Sequence, residues 1–503
     1  MATSEAEIFD TLEALEAPVP DEKRLEDWMD VIGDADHDAN EHFWVPALAQ
    51  FLTSMRLTDE KFLRATPARR ITRRAGRALR QGTQVSFADS QMVKEISKFI
   101  SHSWHASPLL KTLTLHRFYN LKAAALAGTL GAVLGTILFS CGLLPGFERA
   151  PRFGEEPLLQ GLWSLCLGQL LFVLVLIFRA PRDMVFLDRL CIDQESRRAK
   201  AEGVLNIGAC LKHSKSLLVI WDVTYCQRLW CLFEMAAFLK THQDEAMIIE
   251  PVSLTVFNLV TFFFNAVWCG SVVLPYGTVF LVLAACAYGW VFAEVMLRYS
   301  QSLHILKAQL QNFRFAEAEV YCCSVGHKAC NGADIMCDRK SMQKCVQAWF
   351  GSVEEFEQSV QTGVKDALSH HFGGKFCPPH LLIIAALPLL WAQMDHAAAW
   401  FLQHEMMIGL GNLILGLAYT LFGSFAVPGM VLASMRCIPR SCPPVQKLVA
   451  STVCIVLNLI CQGSVHMLFS SLGALLGSLV FSALLVLPNL LVWQFCSRIF
   501  ELA

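Results

Sequence analysis

Eight apolar runs, each close to the length a helix needs to cross a bilayer, dominate this sequence: 121–144, 158–178, 253–274, 277–297, 381–402, 408–433, 448–468 and 471–495. About 20 apolar residues cover the ~30 Å hydrocarbon layer. Lipid offers the backbone no hydrogen-bond partners, so each run is expected to be a helix. The fifth contains Asp395 and His396 and reads as shorter than drawn, or re-entrant. A second reading of that pair, with His404 and Glu405 nearby, is a cation site at the outer boundary; polar groups at a badly placed interface explain it more simply. Only 17% of the residues are charged, against about 25% in an ordinary soluble domain. The chain is therefore expected to join a polytopic helical membrane domain of about eight spans to soluble parts.

Lys and Arg crowd 180–252 and 298–379, and the linker 434–447 adds Arg436, Arg440 and Lys447. The positive-inside rule then puts both termini in the cytoplasm. Residues 1–20 hold Asp and Glu and no apolar core of signal-peptide length. The 19 cysteines are scattered and suggest no disulfide framework. With a formal net charge of −2, no global field favours nucleic acid as a partner. One local run, 64–80, is strongly basic; it reads as a solvated arm, or as an arm that touches anionic lipid through Arg69, Arg70, Arg73, Arg74 and Arg77. Gly131 and Gly135, four apart in the first span, imply close helix packing. Ionisable groups are scarce in the first four spans, which argues against an ion-coupled carrier.

Outside the spans, apolar strands alternate with helical patterns. Residues 97–101, 184–188, 215–221 and 246–251 read as strands of one parallel sheet, with helices over 195–214 and 228–240. The sheet domain is then split: 93–115 and 180–252 belong together, and a transmembrane hairpin, 116–179, is inserted between its first two strands. The remaining pieces are an N-terminal helical and basic arm, 1–92, a second hairpin, 253–297, a cysteine-containing helical module, 298–379, and a C-terminal bundle, 380–503. In the module, 347–368 reads as one helix with Phe350, Phe356, Val360 and Val364 turned inward.

The stretches "SFADSQMVKEISKFISHSW", "FLD", "SKSLLVIWDVTY" and "RLWCLFEM" resemble the Toll/interleukin-1 receptor (TIR) family, especially its plant-type form. Trp230, Cys231, Leu232 and Glu234 match that family's Trp-Cys-Leu-x-Glu motif, and Ser101 and His102 match the end of its first strand. "LDRLCIDQ", 187–194, resembles the related fungal heterokaryon-incompatibility (HET) domains. The resemblance covers about 90 residues and implies an α/β domain that assembles with others of its kind. Asp188, at the carboxyl end of a strand, stands where open α/β sheets bind ligands; the alternative is a structural hydrogen bond. Trp230 has an N–H to donate, Cys231 reads as core, and Cys191 reads as a buried thiol unless a base accompanies it.

Some TIR domains cleave NAD, using a Glu on the helix before the third strand. The matching position here falls near Asn206. Glu202, one turn earlier, is the candidate catalytic carboxylate if the register is shifted, and its helix would then face a cleft bounded by the loops after "FISHS" and "VFLD". NAD is accordingly a possible ligand or substrate. Cys322, Cys323, His327, Cys330 and Cys337 invite a zinc reading, although their spacing fits no standard ligand pair; packed thiols are the alternative. Three functions from different classes follow: a membrane-embedded signalling or assembly protein, a membrane-tethered NAD hydrolase or cyclase, and a channel or transporter with a regulatory module.

Overall fold

The structure is a computed structural model that describes residues 52–80, 83–149, 158–194, 197–242, 246–273, 278–328, 337–372, 377–438 and 442–497. Readings that fall on 1–51 or on Cys330 lie outside the described residues. The chain divides into two compact units. One holds the described residues up to Thr112 with Ala180–Val252 and Ile305–His371. The other holds Leu113–Arg179, Ser253–His304 and the described residues from Phe372 onward.

Eight strands are present among the described residues: β1 Arg64–Pro67, β2 Gln91–Met92, β3 Lys98–His102, β4 Phe147–Arg149, β5 Leu158–Gln160, β6 Met184–Phe186, β7 Leu217–Trp221 and β8 Met247–Pro251. Six of them form one sheet in the order β2-β1-β6-β3-β7-β8. The four expected strands pair in parallel: Phe99 faces Phe186 on β6 and Leu217 on β7, and Leu217 faces Met247 on β8. All five residues of β7 are buried, as a strand covered on both faces requires. Chain order across these four strands is second-first-third-fourth. The direction of winding therefore reverses between β3 and β7, and the hairpin-bearing segment 103–183 is the crossover from β3 to β6.

The basic run is not a free arm. Its first residues, Arg64–Pro67, form β1, antiparallel to β6 with Thr66 opposite Val185. Pro67 ends the strand, so its missing N–H breaks no inner ladder. Arg70 pairs with Asp89, while Arg69, Arg73, Arg74 and Arg77 are exposed. The domain boundary at 92 thus moves back to include the described part of 52–92.

The cysteine-containing module joins the sheet unit as well. Trp349 Nε1 donates to the Thr53 carbonyl at 3.2 Å, Lys240 Nζ to the Trp349 carbonyl at 2.6 Å, and the Phe233 and Trp349 rings lie 5.3 Å apart. The expected single helix over 347–368 is two helices, Asp338–Phe350 and Val353–Phe372. Gly351, at φ 88°, makes the break, a conformation in which a side chain is strained. Phe356, Val360 and Val364 are buried, and Phe356 meets Phe313, Phe315 and Phe350.

Among the described residues, six helices are long and apolar enough to cross a membrane, with most of their length in the second unit: Pro108–Ser140 (its first residues lie in the sheet unit), Val252–Val272, Val282–Gln309 (its last residues lie in the sheet unit), Pro379–Leu402, Met406–Arg436 and Pro443–Leu472. Trp163–Phe178 and Ala474–Val486 are apolar but shorter. Trp163–Phe178 spans only ~24 Å at 1.5 Å per residue. A Cβ on Gly131 would lie 2.6 Å from Leu171, and one on Gly135 would lie 2.8 Å from the Trp163 backbone. The small-residue stripe therefore seats the first hairpin's two helices against each other.

Candidate functional site

A cavity of about 280 Å³ opens at the carboxyl ends of β3 and β6. Open α/β sheets bind ligands at such ends, near the point where winding reverses. His102 and Trp104 follow β3, Asp188 and Gln194 follow β6, and Trp230 and Glu234 come from the helix Leu229–Thr241. Position 102 faces Ile220 across the ladder, so the end of β3 is fixed by a neighbour buried on all sides.

Glu234 is the carboxylate that the fold brings to this place. Ser101 Oγ donates to Glu234 Oε2 at 2.5 Å and stands 2.6 Å from Tyr225 Oη, which also reaches the Cys231 carbonyl at 3.3 Å. Burial pushes the Glu234 carboxyl up to about 8. The Ser101 hydrogen bond opposes that rise, and the charge of Asp188 adds to it. At neutral pH Glu234 is therefore mainly a neutral acid.

Asp188 accepts the Arg189 backbone N–H at 2.7 Å and a hydrogen bond from Trp104. Burial raises its carboxyl, and the hydrogen bonds from Arg189 N–H and Trp104, with the charges of Arg189 and Lys111, offset only part of that rise. Lys111 is fully buried, with Nζ 3.0 Å from the Ser103 carbonyl and 5.3 Å from the Trp104 ring centroid. Burial, aided by the charge of Lys111, pushes the His102 imidazole down to about 3. Its ring stacks edge-on with Trp104 at 4.4 Å. A neutral His, a neutral Glu and two indoles thus make a largely uncharged, aromatic recess, with Asp188 at its edge and Arg228 and Lys200 as its cations.

Glu202 is not part of it. It lines a separate hollow of about 210 Å³ with Lys61, Phe62, Phe87 and Cys191. The cause lies at Asn206, which is wholly buried: its Oδ1 accepts the Thr58 N–H at 2.9 Å, and its Nδ2 donates to Thr58 Oγ1 and to the Glu202 carbonyl. This anchor turns the Glu202 face toward the segment before β1. The cleft beside the loops after "FISHS" and "VFLD", expected to be faced by Glu202 if the register is shifted, holds Glu234 with Asp188 instead, and Glu202 stands apart. Burial lifts the Cys191 thiol to about 12, which leaves it unreactive. Cys231 is core, its Sγ 3.7 Å from the His102 carbonyl. Trp230 donates its N–H, as expected, to Asp338 Oδ2 at 3.1 Å. Trp104 and Tyr225 went unremarked as site residues, although both stand inside the quoted family stretches; Lys111, hidden at the start of an apolar run, offered no signal.

The cysteines form a second cluster. Sγ of Cys323 lies 4.0 Å from Sγ of Cys322, 3.9 Å from Sγ of Cys337 and 3.6 Å from Nε2 of His327. All four ligand atoms fall within 4.8 Å of one another.

In the second unit, both carboxylates within the apolar helices, among the described residues, are occupied. Asp395 accepts N–H bonds from Ser164 and Leu165, and Glu294 pairs with Lys447 and Arg298. Compared with known proteins, the chain matches no family model, no curated protein and no solved structure.

Proposed function

We propose that this chain is a multi-pass membrane protein that presents its α/β domain in the cytoplasm as a TIR/HET-like signalling module, assembling with copies of itself or with similar domains when a small aromatic ligand fills the cavity. The observation that carries this reading is the meeting of Ser101 with Glu234, 133 residues apart, beside Trp230 and Asp188 on one recess. These are the residues on which the family resemblance rests. Two indoles and mostly neutral polar groups suit a planar ring, with a hydrogen bond from Glu234. NAD, through its nicotinamide or adenine ring, is one ligand of that kind.

Hydrolysis of NAD is less well supported. Stabilising an oxocarbenium-like transition state needs a fixed negative charge. Glu234 is mainly protonated at neutral pH, burial raises the Asp188 carboxyl as well, Glu202 lies in another hollow, and Asn206 is sequestered by Thr58. A transporter reading is disfavoured because Asp395 and Glu294 are both engaged.

The test uses the full-length protein in proteoliposomes. Energy transfer between two differently labelled copies is expected, weakened by Trp230→Ala, together with no nicotinamide release from NAD. Absence of energy transfer at every protein-to-lipid ratio would sink the assembly reading. Nicotinamide release that Glu234→Gln abolishes would move the protein among the hydrolases.

A further inference from the structure

We propose that Cys322, Cys323, His327 and Cys337 bind one zinc ion, and that this ion fastens the cysteine-containing segment to the wall of the α/β cavity. The inference is independent of the function proposed above.

Geometry is the first support. Zinc sits ~2.3 Å from thiolate sulfur and ~2.0–2.1 Å from imidazole nitrogen, so a tetrahedral site has S···S edges of ~3.8 Å and S···N edges of ~3.5 Å. The three edges that meet at Cys323 measure 4.0, 3.9 and 3.6 Å, and the other three are within 4.8 Å. Three thiols and one imidazole form a complete tetrahedral set, with Cys322 and Cys337 buried and Cys323 and His327 half-buried. A closed site of this kind is structural rather than catalytic. Soft sulfur donors select zinc over magnesium or calcium, which take oxygen.

The backbone is the second support. Gly326 has φ 62° and His327 φ 58°, two successive left-handed residues. His327 N–H bonds the Cys322 carbonyl at 2.8 Å, and Gly326 N–H bonds the Cys323 carbonyl at 3.2 Å. The chain doubles back on the short helix Tyr321–Ser324 and returns the imidazole to the thiols. Positive φ is uncommon outside glycine, and here it is the turn that brings His327 back beside the three thiols.

Binding releases one proton from each of the three thiols to solvent and leaves His327 neutral, giving the site a single net negative charge. Cys337 is the N-cap of the helix Asp338–Phe350, where the helix dipole favours negative charge. Asp338, next in sequence, accepts from Trp230 at the cavity. Just before the cluster, Glu319 exchanges backbone bonds with Gln227 and Leu229, at the start of the cavity helix. The metal therefore closes a loop between two attachments to the helix that carries Trp230 and Glu234.

Full-length protein purified in detergent without chelators is expected to carry about one zinc per chain by elemental analysis. Cys323→Ser and His327→Ala should lose it, and Cys141→Ser, an exposed cysteine outside the cluster, should keep it. Cobalt added to chelator-stripped wild-type protein should give intense tetrahedral d–d bands and thiolate charge-transfer absorption. That measurement decides the matter even where a variant fails to fold. A metal-free protein with weak octahedral cobalt absorption, another resident metal, or a disulfide joining Cys337 to Cys322 or Cys323 in protein from intact cells would overturn the proposal.

Discussion

Asp395 caps the helix that begins near Ser164: its Oδ1 accepts the Ser164 N–H at 2.7 Å and its Oδ2 the Leu165 N–H at 3.0 Å. These are the second and third residues of Trp163–Phe178, whose own N-cap, Leu162, has no side-chain oxygen to offer. A carboxylate 230 residues away in sequence thus does what a local Ser or Asp does elsewhere. The acidic residue that made the fifth span look interrupted is a structural part of it, and the helix Pro379–Leu402 runs through the position unbroken. His396 is engaged alongside, with Nδ1 3.1 Å from Gln160 Oε1.

Replacing Asp395 should therefore destabilise the membrane unit. Asp395→Ala leaves two N–H groups without acceptors in an apolar setting, at ~1–3 kcal/mol for each. Asp395→Asn keeps one acceptor and should fall between Ala and wild type. Thermal unfolding of the full-length protein in detergent reads the order. A cation site would instead make the midpoint rise with added divalent ions, and this rise should be absent.

Glycines 131 and 135 make a second prediction. Gly135→Leu drives a side chain into the Trp163 backbone, which cannot yield as a flexible side chain would. The loss should exceed that of Gly463→Leu, where a Cβ meets nothing within 4 Å. Detergent-solubilised yield and unfolding midpoint compare the two; equal behaviour would show that the glycine stripe does not seat the hairpin.

Much of the α/β domain was legible because its strands are short apolar runs with helical patterns between them. β7, "LLVIW", is the clearest case. β1 was hidden because "RATP" carries an Arg and a Pro and its partners are an edge strand and β6; only pairing reveals it. The carboxylate of the site was misassigned for a related reason. Glu202 stands one turn before the family's position, which falls at Asn206, and which way its face turns depends on Thr58, far upstream, holding Asn206. Glu234 acquires its role from Ser101, on the far side of a membrane hairpin. For the cysteines, spacing said little because the cluster is assembled through two left-handed residues and the start of a separate helix.

Asn206 supplies a third test. Asn206→Ala should cost about 1–3 kcal/mol, since the Thr58 N–H loses its acceptor in a part-buried place. Asn206→Glu, which restores the carboxylate of the NAD-cleaving pattern, should be worse still. The longer, charged side chain must enter a site with no accessible surface. Thermal midpoint measures both. A well-folded Asn206→Glu variant that releases nicotinamide from NAD would show that position 206 reaches a catalytic cleft.

The last prediction concerns pH. Glu234 has its carboxyl raised by burial from the ordinary 4.5 to about 8. Between those values the folded protein holds a proton that the unfolded chain has released, so stability falls as pH rises across this window. The contribution is complete below about 4.5 and lost above about 8. Glu234→Gln keeps a neutral hydrogen-bonding group for Ser101 and has nothing to ionise. Its unfolding midpoint should therefore decline less than that of wild type from pH 5 to pH 8, and the two curves should converge toward the acid side. Ser101→Ala removes the one hydrogen bond that favours the anion, so the Glu234 carboxyl should rise further and this variant's decline should be somewhat larger than the wild type's and reach to higher pH. Identical pH slopes in wild type, Glu234→Gln and Ser101→Ala would mean that Glu234 is an ordinary solvated carboxylate, and the neutral recess proposed for an aromatic ligand would lose its hydrogen-bond donor.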